Sequence, residues 1–373
     1  MWTLKKIFRF RLIGDLVEIL DDKRVPVSKR DRNGGDYPYY GATGIIDYID
    51  KYIFDEKLIL IGEDGAKWGA NEKSAFVVDG KYWVNNHAHV LKPNRTIILD
   101  GFIIEILNKY DLSPYITGLN VPKLNQGNLK EIKIPLPPLD IQKKIVSEIE
   151  ALEKQEQKAV EEIERQNKQK SILINHSFES KNLCEISSFA QVKGGKRVPK
   201  GFSFSNSKTN YPYIRVSDFK NGSIDLSNLR YIDEEIFNKI KNYTISKDDI
   251  YISIAGTIGL IGIVPKILDG KSLTENAAKI IITNFNQVNQ KYVCLMLDSK
   301  NAKEQIKSRT KAVGVPKLAI KRIETIKIPV PTLEEQKKIV SEIEKIETKI
   351  SELEKQIADI PKQKEKILKK HLE

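Results

Sequence analysis

Only 2 cysteines, 4 histidines, 2 methionines and 3 tryptophans occur in the 373 residues of this chain. Cys184 and Cys294 form no C-x-x-C pair. Neither a disulfide framework nor a thiolate zinc site is expected, and a reducing cytoplasm is the natural setting. Two histidines stand together in His87-Ala88-His89 and would share one face of a strand. No third ligand lies near them in the sequence, so no metal is expected. Signatures of chemistry are missing too. Gly270-Lys271-Ser272 has Pro265 where a phosphate loop needs glycine. There is no Gly-x-Ser-x-Gly elbow and no Pro-Asp dipeptide, so the usual Pro-Asp…(Asp/Glu)-x-Lys nuclease core is absent. The one Pro-Pro, in Leu136-Pro137-Pro138-Leu139, is not the Asn/Asp-Pro-Pro-aromatic motif of amino-methyltransferases. No catalytic residue and no bound cofactor are expected. The longest apolar stretch, 251–265, is interrupted by Gly256, Gly259 and Gly262. It reads as buried strand and turn, not as a membrane span. The first eleven residues alternate basic and apolar side chains and do not make a signal peptide.

What is present is charge and repetition. With 62 Lys+Arg against 50 Asp+Glu the formal net charge is +12, which points to a polyanionic partner such as nucleic acid. At 40% hydrophobic residues the chain can build cores, and its length suits two or more domains.

The chain repeats itself. Val121-Pro122-Lys123-Leu124 returns as Val315-Pro316-Lys317-Leu318, and the nine residues from Gln142 to Glu150 return unbroken from Gln336 to Glu344. Between 121–150 and 315–344, 19 of 30 positions are identical without a gap, which excludes coincidence. Further upstream, Lys23-Arg24-Val25-Pro26 recurs at 196–199 and Tyr37-Pro38-Tyr39 at 211–213, in the same order. The period is far longer than that of a solenoid. A pseudo-dimer with two-fold related halves is the expected outcome.

Each half ends in a helix. Thr332 and Glu335 fit the N-cap and N3 positions of a capping box. Ile339, Ile343, Ile346, Ile350, Leu353, Ile357 and Ile360 then follow at alternating spacings of four and three, a sustained a/d seam. Pro361 is expected to kink or end that helix. The first copy carries Ile145, Ile149, Leu152, Ala159 and Ile163, with polar Glu156 and Gln166 in the seam, over a helix from Asp140 to about Asn175. Each stripe needs a partner, and the other copy is the obvious one. An antiparallel pair that separates the two globular parts follows.

The globular parts read as mixed, with much strand: Leu58–Gly62, Ala75–Val78, Thr96–Leu99, Ile250–Ile254 and Lys279–Thr283. Helical patterns appear over Asp233–Asn242 and Lys291–Ser308. Basic, aromatic and amide side chains crowd the glycine-rich turns. Candidates for contact with nucleic acid are Lys23, Arg24, Arg32, Tyr37, Tyr39, Tyr40, Lys67, Trp68, Asn85, Asn86 and His87 in the first half. In the second they are Lys196, Arg197, Tyr211, Tyr213, Arg215, Thr257 and Asn276. Arginine and lysine bond phosphates and guanine edges, asparagine bonds adenine edges, and glycine lets a backbone approach a phosphate.

These features together resemble the specificity (S) subunits of type I restriction–modification systems. Carrying the resemblance are Tyr37-Pro38-Tyr39-Tyr40-Gly41-Ala42-Thr43-Gly44-Ile45-Ile46-Asp47, Ile61-Gly62-Glu63-Asp64-Gly65-Ala66, Trp83 to Leu91, and the two Pro-rich junctions into the helices. In the second half Ile214-Arg215-Val216 replaces Tyr40-Gly41-Ala42, and Glu275-Asn276-Ala277 replaces Asn86-His87-Ala88. The resemblance implies an α+β chain of two similar target-recognition domains, 1–118 and 179–312. These would be separated by antiparallel coiled-coil spacers, 119–178 and 313–373, in pseudo-two-fold symmetry. It implies a cytoplasmic, non-catalytic subunit that binds a split double-stranded DNA target, one half-site per domain. Two methylation subunits would carry S-adenosylmethionine, and restriction subunits would carry ATP and magnesium. Two other readings stay open: a coiled-coil scaffold that touches DNA little, and a solitary DNA-binding protein without enzyme partners. Salt-dependent DNA binding separates the first from a DNA reader, and neighbouring methylase and translocase genes separate the second.

Overall fold

A computed structural model describes residues 8–118, 120–179, 182–310 and 316–373. By contacts the chain forms two compact units, Met1–Val160 with Glu354–Glu373, and Glu161–Leu353. Each unit holds a globular part and portions of both long helices.

In the first unit the strands are β1 (Phe10–Leu12), β2 (Val17–Ile19), β3 (Tyr37–Gly41), β4 (Gly44–Ile49), β5 (Phe54–Asp55), β6 (Leu58–Gly62), β7 (Ala75–Val78), β8 (Lys81–Val84) and β9 (Ala88–Pro93). Helices α1 (Asp100–Lys109) and α2 (Gln126–Lys130), strand β10 (Lys133–Pro135) and the long α3 (Leu139–Phe178) follow. One four-stranded sheet has the order β2-β9-β6-β7, a second β4-β3-β8-β5, and β1 pairs with β10. β6 is apolar and buried along its whole length, as a central strand covered on both faces must be. Helix α1 lays Phe102, Ile103, Ile106 and Leu107 on that core.

The second unit repeats the plan. Its elements are β11 (Leu183–Glu185), β12 (Ala190–Gly194), β13 (Tyr211–Ile214), β14 (Phe219–Lys220), β15 (Ser223–Ile224), β16 (Arg230–Ile232), α4 (Glu234–Ile240), β17 (Thr244–Ile245), β18 (Asp249–Ser253), β19 (Ile261–Ile263), β20 (Lys271–Leu273), β21 (Ala277–Ile282), α5 (Gln290–Asp298), α6 (Lys300–Arg309), α7 (Ile320–Glu324), β22 (Lys327–Pro329) and α8 (Leu333–Leu372). The sheets are β12-β21-β18-β19 and β16-β13-β20-β17, with β11 on β22. These orders map one to one onto the first unit. The insertions are the β14–β15 hairpin, α4 and α6.

The long helices carry the expected seam. Ile145, Ile149, Leu152, Ala159, Ile343, Ile346 and Ile360 are buried, and Ile163, Ile339, Ile350, Leu353 and Ile357 are half-buried. Near the start of α8 it is Val340, beside Ile339, that enters the core. At 40 residues each, the helices are about 60 Å long. Inside the first unit Glu148 meets Lys370 and His371, and Glu153 meets Lys364. Inside the second, Glu162 meets Lys349 and Lys170 meets Glu347. Within each unit the partner's residue number falls as the first rises, so the pairing is antiparallel. Ion pairs at the edge of the seam contribute little stability. Thr332 and Glu335 make the capping box, with Thr332 N donating to Glu335 Oε2 and Glu335 N to Thr332 Oγ1.

Three expectations need correction. Thr96–Leu99 is not a strand: Asn94 Oδ1 accepts from Thr96 N and Oγ1, and the Asn94 carbonyl accepts from Ile97 and Ile98, which bends the chain into the start of α1. The helical run 291–308 is two helices, broken where Ser299 caps α6 by accepting from Ala302 N. Of the two outcomes expected at Pro361, a kink or an end, the end is not found, and α8 runs through it to Leu372. The residues beyond it bury Leu368 and Leu372 in the core of the first unit, and that burial outweighs the one missing hydrogen bond.

A buried glutamine joins each long helix to its globular part. Gln142 Oε1 accepts from Leu99 N at 2.9 Å, while its Nε2 donates to Ile97 O at 2.9 Å and Pro137 O at 2.8 Å. Gln336 makes the same three bonds with Asn289 N, Gln287 O and Pro331 O. Both side chains are fully buried. Gln142→Ala would strand one N–H and two carbonyls, and is expected to lower unfolding stability by about 2–4 kcal/mol. Denaturant titration against the exposed control Lys154→Ala checks this, and a loss below about 1 kcal/mol would refute the clamp.

Candidate nucleic-acid interface

In each unit four segments converge at the end of the sheets. In the first they are the Lys-Arg-Val-Pro loop after β2, the turn after β6, the β8–β9 turn and the Val-Pro-Lys-Leu junction. Backbone bonds define the meeting point: Glu63 N donates to His87 O, Leu124 N to Glu63 O, and Asp64 bridges Lys123. The second unit repeats them with Ile254 N to Asn276 O, Leu318 N to Ile254 O, and a bridge between Ala255 and Lys317. His87 and Asn276 therefore occupy equivalent places, as do Lys123 and Lys317.

The candidate residues divide into two groups. Buried ones build the loops. The Tyr39 hydroxyl accepts from Val27 N at 2.9 Å, and the Tyr213 hydroxyl donates to Lys196 O at 2.7 Å, so each buried tyrosine ties the basic loop to its sheet. Burial pushes the Tyr213 phenol up to about 12. Trp68 Nε1 donates to Gly62 O, and Asn85 Oδ1 accepts from His87 N. Arg32 stacks 4.4 Å from the Tyr39 ring and pairs with Asp47 at 3.0 Å. Arg215 is held by Asp218 at 2.6 Å. Half-buried Tyr40 packs on Phe76 and Tyr82, and Tyr211 stacks on Phe237. In this conformation Tyr39, Tyr213, Trp68 and Asn85 are too deeply buried to meet a base. The expectation of direct contact becomes a positioning role for them.

The exposed group is Lys23, Lys67, Asn86, His87, Lys196, Arg197, Thr257 and Asn276, with Tyr37 half-exposed. Apart from Tyr37, which lies on β3, these side chains stand on the converging segments. His87 Nδ1 lies 2.5 Å from Asp64, and Arg197 pairs with Glu275 at 2.6 Å while 76% exposed.

Arg24 belongs to neither group. Its side chain is only 12% exposed and donates to Glu63 Oε2 at 2.5 Å and Ala88 O at 2.8 Å. Lys123 reaches the other Glu63 oxygen at 2.7 Å. His89 Nδ1 faces Asp21 Oδ2 at 2.5 Å, and Nε2 faces Leu124 O at 2.6 Å. Asp21, Glu63 and His89 thus gather three metal-type ligands that the sequence keeps far apart. Both ring nitrogens of His89 face acceptors, and both oxygens of Glu63 hold cations. The cluster is a closed charge network, not an open coordination site. Burial pushes the Asp21 carboxyl up, but the His89 bond and charge, Val90 N and Arg24 outweigh it and hold it below its ordinary value. Glu63 is likewise raised by burial and lowered further by Lys123, Arg24 and His89. None of Asp21, Glu63, His89 and Lys123 is among the sequence candidates for the interface, although His87-Ala88-His89, the Ile61 to Ala66 motif and the repeated Val-Pro-Lys-Leu contain three of them.

The family model described as "Type I restriction modification DNA specificity domain" matches residues 6–165 and again 178–361. The type I restriction enzyme MjaVIII specificity subunit of Methanocaldococcus jannaschii is 25% identical over 89% of this chain and 84% of its own length. A Haemophilus influenzae protein provisionally assigned as a type I restriction enzyme specificity subunit is 28% identical over 88% of this chain and 85% of its own. The crystal structure of a type I restriction–modification S subunit from M. genitalium superposes with a TM-score of 0.59 at 17% identity, covering 100% of this chain and 98% of that one.

Both carboxylates lie below their ordinary values, 3.8 for Asp21 and 4.5 for Glu63. Their contribution is therefore complete above those values and is lost as pH falls through the lower folded ones. Glu63→Gln is expected to destabilise the chain at pH 7 and to flatten the fall in stability below about pH 4.5. Melting temperatures across pH 3–7 read both effects, and parallel curves for variant and parent would contradict the network.

Proposed function

The chain belongs to the type I restriction modification DNA specificity family, and on that basis we propose that it is a non-catalytic reading subunit for a bipartite DNA target. Each globular part reads one half-site. The observation that carries this is the duplicated scaffold with unlike side chains at equivalent reading positions: Asn86 and His87 in one half, Glu275 and Asn276 in the other. The same frame presented twice with different polar edges is what two different half-sites require.

Chemistry resides on partners in this reading. Two methylation subunits supply S-adenosylmethionine-dependent adenine methylation, and restriction subunits supply ATP- and magnesium-dependent translocation and cleavage. The charged outer faces of α3 and α8 dock the methylation subunits, and helix length sets the number of unread base pairs. No helix among the described residues is long and apolar enough to cross a membrane, in keeping with a chain that works on DNA.

Purified chain is expected to bind DNA and to transfer no methyl group until methylation subunits are added. Inserting one heptad at facing positions of α3 and α8 lengthens the pair by about 10 Å, and the unread gap should grow by about three base pairs. Sequencing the methylated sites of cells that express the lengthened chain with its partners measures the gap, and an unchanged gap would rule out the ruler.

A further inference from the structure

The two converging sites share a backbone but not a charge balance. Strand pairing aligns them residue by residue. His89 opposes Ile61 across β6–β9, where Ala278 opposes Ile252 across β18–β21. The bonds at the meeting point align Glu63 with Ile254 and Asp64 with Ala255. The β2–β9 and β12–β21 registers, continued through the turns, align Asp21 with Gly194. Three carboxylates and an imidazole of the first site are thus glycine, isoleucine and alanine in the second. The cations are retained: Lys23, Arg24 and Lys123 correspond to Lys196, Arg197 and Lys317.

The consequence is a difference in what the cations are free to do. Arg24 and Lys123 spend their charge on Glu63. Lys317 is exposed and has no carboxylate within ion-pair distance among the described residues. Every Asp and Glu of the chain lies among the described residues. Lys196 is also exposed, its ammonium 5.4 Å from the Tyr243 ring centroid. Arg197 meets one added carboxylate, Glu275, but that pair lies at the surface, where such contacts exchange readily for a phosphate. Gly195 lets the loop lie against the sheet: a Cβ there would collide with the Thr274 and Leu273 carbonyls, and Lys196 N donates to Leu273 O.

We propose that Lys317, with Lys196 and Arg197, forms a phosphate-backbone anchor in the second half, and that the first half offers a weaker one, because Lys23 stays exposed while Arg24 and Lys123 are paired with Glu63. This rests on the DNA-reading function proposed above. The two halves then divide the work unequally. The second supplies more of the sequence-independent, salt-sensitive affinity, and the first supplies a preorganised loop.

The test is the slope of log binding constant against log salt for the full chain on a DNA duplex of mixed sequence. Lys317→Gln should lower the magnitude of the slope by about 0.9, the value of one phosphate contact, and Lys317→Arg should restore it. Lys123→Gln should leave the slope unchanged. If Lys317→Gln leaves the slope intact, or Lys123→Gln lowers it equally, the anchor is wrong while DNA reading stands. If the parent chain shows no salt-dependent DNA binding, the reading itself fails and takes the anchor with it.

Discussion

One buried amide per half fixes where each long helix begins. Gln142 and Gln336 each satisfy one N–H and two carbonyls that the chain would otherwise bury unpaired between the loop before α1 or α5 and the Pro-rich junction. The first turns that follow are part of the globular cores: Ile145 and Ile149 in one, Val340 in the other. Helix and globular part are thus one packed body at that end. A helix rigidly rooted in its reading domain can transmit a length, whereas one joined by a free linker could not. This explains why the two halves agree best over 121–150 and 315–344, since both copies must make the same joint.

Above the joint the halves are free to differ, and they differ in electrostatics on a common backbone. The first half closes four charged groups, Asp21, Arg24, Glu63 and Lys123, and the His89 imidazole around one point. Removing any one leaves the others short of partners, so the network holds its loop in a single arrangement. The second half fills the same place with Ile254 and Ala278, gains rigidity from apolar packing, and leaves its cations exposed. Either solution supports the loops.

Local chemistry was legible in the sequence, and long-range pairing was not. The capping box, the a/d seam and the Val-Pro-Lys-Leu repeat are short-range patterns, and the structure carries each close to where the pattern put it, with Val340 entering the core beside Ile339. Thr96–Leu99 looked like a strand because β-branched residues favour strands, yet a single Asn94 turned it into a helix entry. Of the kink or end that local propensity suggests at Pro361, the end does not occur, because Leu368 and Leu372 further on are buried in the core. The candidate tyrosines were chosen by composition, but composition cannot tell a ring that faces solvent from one that holds a loop, as Tyr39 and Tyr213 do. The charge network joins residues 21, 63, 89 and 123, and only the finished sheet brings them together.

The central claim is that each half reads its own part of a split target on a shared frame. The direct measurement replaces residues 190–282 with the equivalent segment of a relative, keeps both junctions and helices, and maps the methylated DNA sites in cells that supply the partner subunits. One half of the target is expected to change while the other half and the gap stay the same. A target that changes in both halves, or in neither, would contradict it.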